Sequence, residues 1–341
     1  MRLSNMILVL SLGGIGAAGA LVGCGSDSTT GSTSSNTGGS GSTTSGDTST
    51  GTGVGSDPCS PAASCPGAKS ECLALADYTG KDVFTLRMAD LTLTAPPPLT
   101  TGLVSTVVKG GVTLNLNECN LAGGGTFSWL LQFDTKTGKL KAGGAKPTAT
   151  PTDGYAFVDE TIAGFKIAPF ETDAPIEGGK FAMAMGADLT VPVYLDINAM
   201  GVVLLPLHAA KLTGTISADN NCIGKYNSKG LQPADNCAAT KDIPAYVGTD
   251  GKADSDGTLD GFITLEEADT VVVSAIHQSL CVILSGDAAQ FGDGAAEAKC
   301  KRDAGGKIVF QGDWCAASND AACKDAVKLQ ANYAASAVKL N

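Results

Sequence analysis

Histidine is nearly absent: His208 and His277 are the two in a chain of 341 residues. Hydrolases that activate a nucleophile need a base beside it, usually histidine, so few such sites can be assembled. No Gly-x-Ser-x-Gly elbow, Walker loop or His-Glu-x-x-His is present either. Cationic residues are in deficit, 23 Lys and Arg against 34 Asp and Glu for a net charge of −11. No surplus remains to neutralise a phosphate backbone, which excludes nucleic acid as the expected partner. Aromatic residues make up 5% of the chain, with two tryptophans, Trp129 and Trp314, to serve as stacking platforms. No Cys-x-x-Cys occurs, so tetrahedral zinc is poorly supplied with ligands. The composition, with 44 glycines and 14 prolines, also excludes a long coiled coil, collagen and a many-pass membrane protein.

What is present first is an export pattern. Met1-Arg2 precedes the apolar stretch Met6 to Leu10, small residues follow, and the segment ends Leu21-Val22-Gly23-Cys24. Five glycines between Gly13 and Gly23 weaken a membrane-spanning helix. The last four residues resemble the lipobox of bacterial lipoproteins. That resemblance implies a signal peptide over 1–23 and a diacylglyceryl group on the Cys24 thiol, with further acylation of its new amino group. The expected location is then the cell envelope, as an outer-membrane lipoprotein held to the bilayer by its acyl chains. Each buried methylene contributes about 0.8 kcal/mol, so two or three chains hold where one would not.

Residues 25–57 follow as a tether with 10 Ser, 9 Thr and 9 Gly, no proline and no aromatic. Such a segment cannot bury enough apolar surface to offset the entropy of ordering it. As a flexible coil it has an end-to-end distance of roughly 30 Å. Lipobox and tether together resemble surface lipoproteins of myxobacteria-like Gram-negative bacteria, a likeness firm over residues 1–57 that carries no activity with it.

Beyond the lipobox ten cysteines remain: Cys59, Cys65, Cys72, Cys119, Cys222, Cys237, Cys281, Cys300, Cys315 and Cys323. An even number in an oxidising compartment reads as up to five disulfides. Spacing does not give their pairing, although Cys222 to Cys237 and Cys315 to Cys323 are short separations. Cys281, inside the apolar run Leu280 to Leu284, reads equally as a free buried thiol.

Residues 58–218 read as a β-rich region. Apolar and polar residues alternate in 112–116, 127–133 and 189–195, with turn clusters at 134–138, 152–154 and 177–179. Pro192 inside such a pattern marks an edge strand or a bulge. Trp129 shares a face with Phe127, Leu131 and Phe133, which places it in a core. Residues 219–341 read differently: a loop-like stretch to Asp260, a helix over 265–284 with Val272, Val273, Ile276, Leu280 and Ile283 on one stripe, a short strand at 307–310, and a helix from about 320 to 340. The expectation is a mainly β protein, an antiparallel sandwich or jelly roll, with C-terminal α-helices that pack on it or form their own lobe.

One stretch suggests chemistry. Residues 256–267 resemble the calcium loop of the EF-hand family, with acids at positions one and five, Gly at six, an aliphatic at eight and Glu at twelve. The match implies Asp256, Asp260 and Glu267 as carboxylate ligands, Thr258 through its hydroxyl, Phe262 through its carbonyl and Thr264 directly or through water. Position three is Thr where the family favours Asp or Asn, and 242–245 does not look like an entering helix. The same residues read without metal as a capping box, in which Thr264 caps a helix and Glu267 reaches back. A tethered β-domain with sparse chemistry points to a non-catalytic binding or structural module for a glycan or protein ligand. A hydrolase acting on polysaccharide, with two acids distant in sequence, is the alternative.

Overall fold

The computed structural model describes residues 59–341 apart from 62–66, 68–69, 101–112, 116–122, 236, 238–243, 253–255, 274–275, 287–296 and the positions 163, 195, 197, 200, 319 and 321. Cys24, the signal segment, the tether, Cys65, Cys119 and both ends of the 112–116 pattern lie outside these residues.

The chain enters the fold through β1 (Val83–Ala95) and a single turn, α1 (Pro97–Thr100). Two strands, β2 (Trp129–Asp134) and β3 (Lys139–Gly144), form a hairpin whose turn is the 134–138 cluster, and β4 (Glu160–Ile162) and β5 (Phe165–Ile167) form a small outer one. Next come β6 (Phe170–Asp173), β7 (Ile176–Glu177) and β8 (Lys180–Ala182). Gly178 and Gly179 link β7 to β8 with both φ angles positive, as a two-residue hairpin turn requires. The long strands β9 (Ala187–Tyr194) and β10 (Val202–Thr215) follow. Short pieces β11 (Cys222–Ile223), β12 (Lys225–Tyr226) and β13 (Tyr246–Val247) lead to β14 (Gly257–Thr264). The chain ends with α2 (Leu265–Thr270), β15 (Val272–Val273), β16 (Gln278–Ser279), α3 (Leu280–Ser285) and β17 (Ala326–Ala337).

The protein is mainly β and antiparallel. In place of two separate layers, one eleven-stranded sheet runs β6-β3-β2-β1-β17-β14-β10-β8-β7, with β11 beside β17 and β9 beside β10. Its first and last strands, β6 and β7, are joined through Ala174 and Pro175 alone, so the sheet must curl until its ends meet. The amide of Ala184 donates to the Asp173 carbonyl at 2.9 Å across that junction. The Phe133 ring of β2 stacks on Phe84 and meets Phe181 of β8 edge-on with centroids 4.8 Å apart, filling the interior. The inward residues of β1, β2, β10, β14 and β17 form one continuous core. Strands from both sides of residue 218 therefore share a single sheet. Pro192 sits in β9, which pairs with β10 alone among the described strands.

The C-terminal helices are largely replaced. Residues 326–337 form a central strand paired with both β1 and β14. Alanine favours helix, and Val327, Ala334, Ala337 and Val338 fit a helical stripe, but Val327, Leu329, Ala331, Tyr333, Ala335 and Ala337 alternate just as well. The strand is buried on both faces, Ala331, Ala334, Ala335 and Ala337 each being 2% exposed or less. Where β14 pairs with it, Gly257 stands opposite Tyr333, and a Cβ on Gly257 would lie 2.6 Å from the Tyr333 ring. The 265–284 stripe is likewise interrupted. β-branched Val271, Val272 and Val273 leave the helix for a hairpin, His277 turns with φ +50°, and Ser279 caps a new short helix through the Val282 amide. The 307–310 strand reduces to one bridge, Ile308 with Arg302, and β14 begins inside the stretch expected to be loop up to Asp260.

Among the described residues four disulfides are formed: Cys59–Cys237, Cys72–Cys222, Cys281–Cys300 and Cys315–Cys323. The short pairing of Cys315 with Cys323 is realised. Cys222 and Cys237 instead bond partners 150 and 178 residues away, and Cys281 is bridged rather than free.

Candidate functional site

The residues of the calcium-like loop do not converge. Asp256 stands at the entry of β14 and the others run along it into α2, hydrogen-bonded across to β10 and β17. At about 3.3 Å per residue, Asp256 and Asp260 are roughly 13 Å apart along an extended strand, whereas calcium gathers its oxygens at 2.3–2.6 Å. Each side chain has a separate engagement. Asp256 accepts from the Thr249 amide at 2.7 Å, the Thr258 hydroxyl meets that of Thr213 at 2.7 Å, and Asp260 accepts from Gln330 Nε2. Thr264 caps α2, accepting from the Glu267 amide at 3.2 Å while its hydroxyl donates to Glu267 Oε2, so the capping box is the arrangement present. Two other clusters of potential metal ligands occur among the described residues, Asp269 with Cys281 and Cys300, and Asp325 with Cys315 and Cys323. In both, the sulfurs are joined as disulfides, leaving a single carboxylate.

Glu267 and Phe262 belong to a different constellation, around His208. This histidine lies at a β-bulge of β10, where pairing with β14 slips between His208 and Lys211 and Ala209 adopts φ +47°. Its Nε2 lies 2.8 Å from Glu267 Oε2, its Nδ1 lies 3.4 Å from Asp188 Oδ1, and the Phe262 ring stacks on it at 5.4 Å. Burial works against the imidazolium, but the Glu267 hydrogen bond and charge, with Asp188, outweigh it and raise the pKa above its ordinary 6.5. Burial works against the Glu267 carboxylate too, and Thr264 and His208 outweigh that, so its pKa falls. Asp188 had no signal in the sequence, because the partnership depends on β9 lying beside β10. His277, by contrast, sits in the turn between β15 and β16.

The bulge borders an apolar cavity. The curled sheet is incompletely filled at this end, leaving a cavity of about 40 Å³ that opens to solvent. Met88 and Leu91 of β1 form one wall, Phe127, Trp129 and Phe170 a second, and Leu189, Val191, Leu207, Ala210 and Leu212 a third, with Met183 and Leu259 completing it. Every lining side chain is apolar. Trp129 is 6% exposed, in the core where its alternation placed it. Trp314 is partly exposed and lies under the Lys328 ammonium, 5.5 Å from its ring centroid. Alternation in 189–195 and 127–133 gave some of these walls. The gap between them arises from sheet curvature, which no local pattern encodes.

No protein-family model, curated protein or solved structure matches the chain.

Proposed function

We propose that the protein is a lipid-anchored module of the bacterial cell envelope, stabilised by disulfides, that holds a slender apolar ligand inside its curled sheet. The carrying observation is the cavity. Its walls are apolar on every side, so recognition is by shape and exclusion of water rather than by hydrogen bonds. The volume suits a few methylenes of an unbranched chain. Met88 and Met183, with unbranched flexible side chains, are the wall residues best able to yield to more. A glycan would want polar partners and an open aromatic platform, and Trp129 is inside the wall. A hydrolase finds less support, because both ring nitrogens of His208 face carboxylates and neither is free to take a proton from a nucleophile.

The cavity reading is tested by quenching of tryptophan fluorescence in the full chain with a brominated fatty acid. Saturable quenching is expected, retained in Trp314→Phe and weakened at least about tenfold in Ala210→Leu, which fills the space. Quenching equal in the wild type and Ala210→Leu, or none in either, refutes the cavity as the site. Anchoring is tested separately. Cys24→Ser is expected to move the protein from the membrane fraction to the soluble one, and an unchanged distribution would dispose of the lipid anchor.

A further inference from the structure

The charged cluster and the apolar cavity share one piece of backbone. His208 lies between Leu207 and Ala210, both cavity walls, and Asp188 directly precedes the cavity-lining Leu189. The Asp188 carboxylate also accepts from the amide of left-handed Ala209 at 2.9 Å, so it grips the bulge twice, once through backbone and once through the imidazole. β9, which carries Asp188, Leu189 and Val191, is tied by strand pairing to β10 alone among the described strands.

We infer that His208 is a proton-operated latch on this cavity: as imidazolium it ties edge strand β9, through Asp188, to helix α2, through Glu267, and loss of its proton loosens β9 and speeds ligand exchange. The inference rests on the cavity reading above. The chemistry follows from counting protons. An imidazolium donates from both nitrogens, but a neutral ring has one N–H. That N–H stays with Glu267, the closer and less exposed partner, at 2.8 Å against 3.4 Å for Asp188. Nδ1 then turns a lone pair toward the Asp188 carboxylate, and attraction becomes repulsion.

The other charges nearby do not replace His208. Glu266 of α2 is held by Arg302, Lys211 of β10 is exposed, and Lys328 of β17, in register with Phe262, lies over Trp314 and 3.8 Å from Asp260. Since the pKa is raised in the fold, the latch is fully closed below about pH 6.5 and opens as pH rises through the folded value.

Two readouts on the full chain test this. Amide protection factors across 189–193, corrected for intrinsic exchange, are expected to fall about three- to fivefold between pH 5.5 and 9 relative to β1. In Asp188→Asn, whose carbonyl still accepts from the Ala209 amide, the step should vanish. The dissociation rate of the brominated fatty acid should rise by a similar factor in the wild type and not in the variant. Flat protection in the wild type, or an equal step in Asp188→Asn, overturns the latch while leaving any pH-independent binding, and so the cavity, intact. The protection step with no quenching at any pH sinks the cavity reading, and with it the latch as its gate. The step with a pH-independent dissociation rate refutes the coupling alone.

Discussion

Replacing Cys72 and Cys222 together by alanine is expected to lower the free energy of unfolding by about 3.5 kcal/mol, read from guanidinium denaturation under non-reducing conditions. The loop between them spans 150 residues, but Cys59–Cys237 encloses it. With that outer bridge intact, the chain released is only the thirteen residues from Cys59 to Cys72 and the fifteen from Cys222 to Cys237. Chain-entropy arithmetic for a loop of that size gives about 3.5 kcal/mol, against about 5 kcal/mol for a free loop of 150 residues. Removing the outer bridge alone opens the same two segments and should cost a similar amount. Removing both also frees the long loop, so the combined loss should exceed the sum of the two by about 1.5 kcal/mol. Simple additivity would mean that strain or unfolded-state structure, rather than loop closure, sets the effect. Local contacts seat the bridge at Cys72. Its carbonyl accepts from the hydroxyls of Ser336 and Tyr246, so the bridge holds the entering segment against the central strand β17.

The bridges also explain which parts of the fold were legible in the sequence. An even set of cysteines and alternating runs pointed to a disulfide-bonded, mainly β protein, because those signals are local. Pairing was not legible, since Cys72 and Cys222 meet only after β11 docks on β17. Residues 326–337 carried two periods at once. Tertiary burial on both faces decided for strand where the propensity of alanine alone decided for helix. Residues 256–267 show the reverse case. Side chains of alternating type can line a metal loop or one face of a strand, and pairing on both edges of β14 selected the strand. Of that twelve-residue pattern, Thr264 and Glu267 keep a defined role, the cap. Glu267 then acquires His208, a contact between residues 59 apart in the chain.

The helical corner depends on a carboxylate in much the same way, and there the expected loss is comparable. Asp269→Ala should destabilise the protein by about 3 kcal/mol in the same denaturation assay. Asp269 is 6% exposed at the end of α2. It accepts from the Ser279 hydroxyl at 2.9 Å, the Cys300 amide at 2.7 Å and Arg302 Nη2 at 3.0 Å. One side chain therefore joins α2, the cap of α3, the Cys281–Cys300 bridge and a guanidinium that also clasps Glu266. Alanine would strand the Cys300 amide and the Ser279 hydroxyl without their acceptor, at about 1 to 3 kcal/mol for each buried group left unpaired. The lost pairing with Arg302, whose side chain is exposed, adds little to this. Asp269→Asn keeps an acceptor oxygen for Ser279 and Cys300 but faces Arg302 without charge, so it should lose less, about 1 to 2 kcal/mol. Acid separates the two variants from the wild type. Burial opposes the Asp269 carboxylate, yet the Cys300 amide, Ser279 and Arg302 outweigh it and hold the pKa below the ordinary 3.8. A depressed folded-state pKa contributes stability that is complete above the unfolded value and disappears as pH falls through the folded one. The gap between wild type and Asp269→Asn should therefore be constant from about pH 5 to 7 and close below about pH 4. A gap that persists undiminished at pH 2 would show that Asp269 acts through shape alone, with its charge irrelevant.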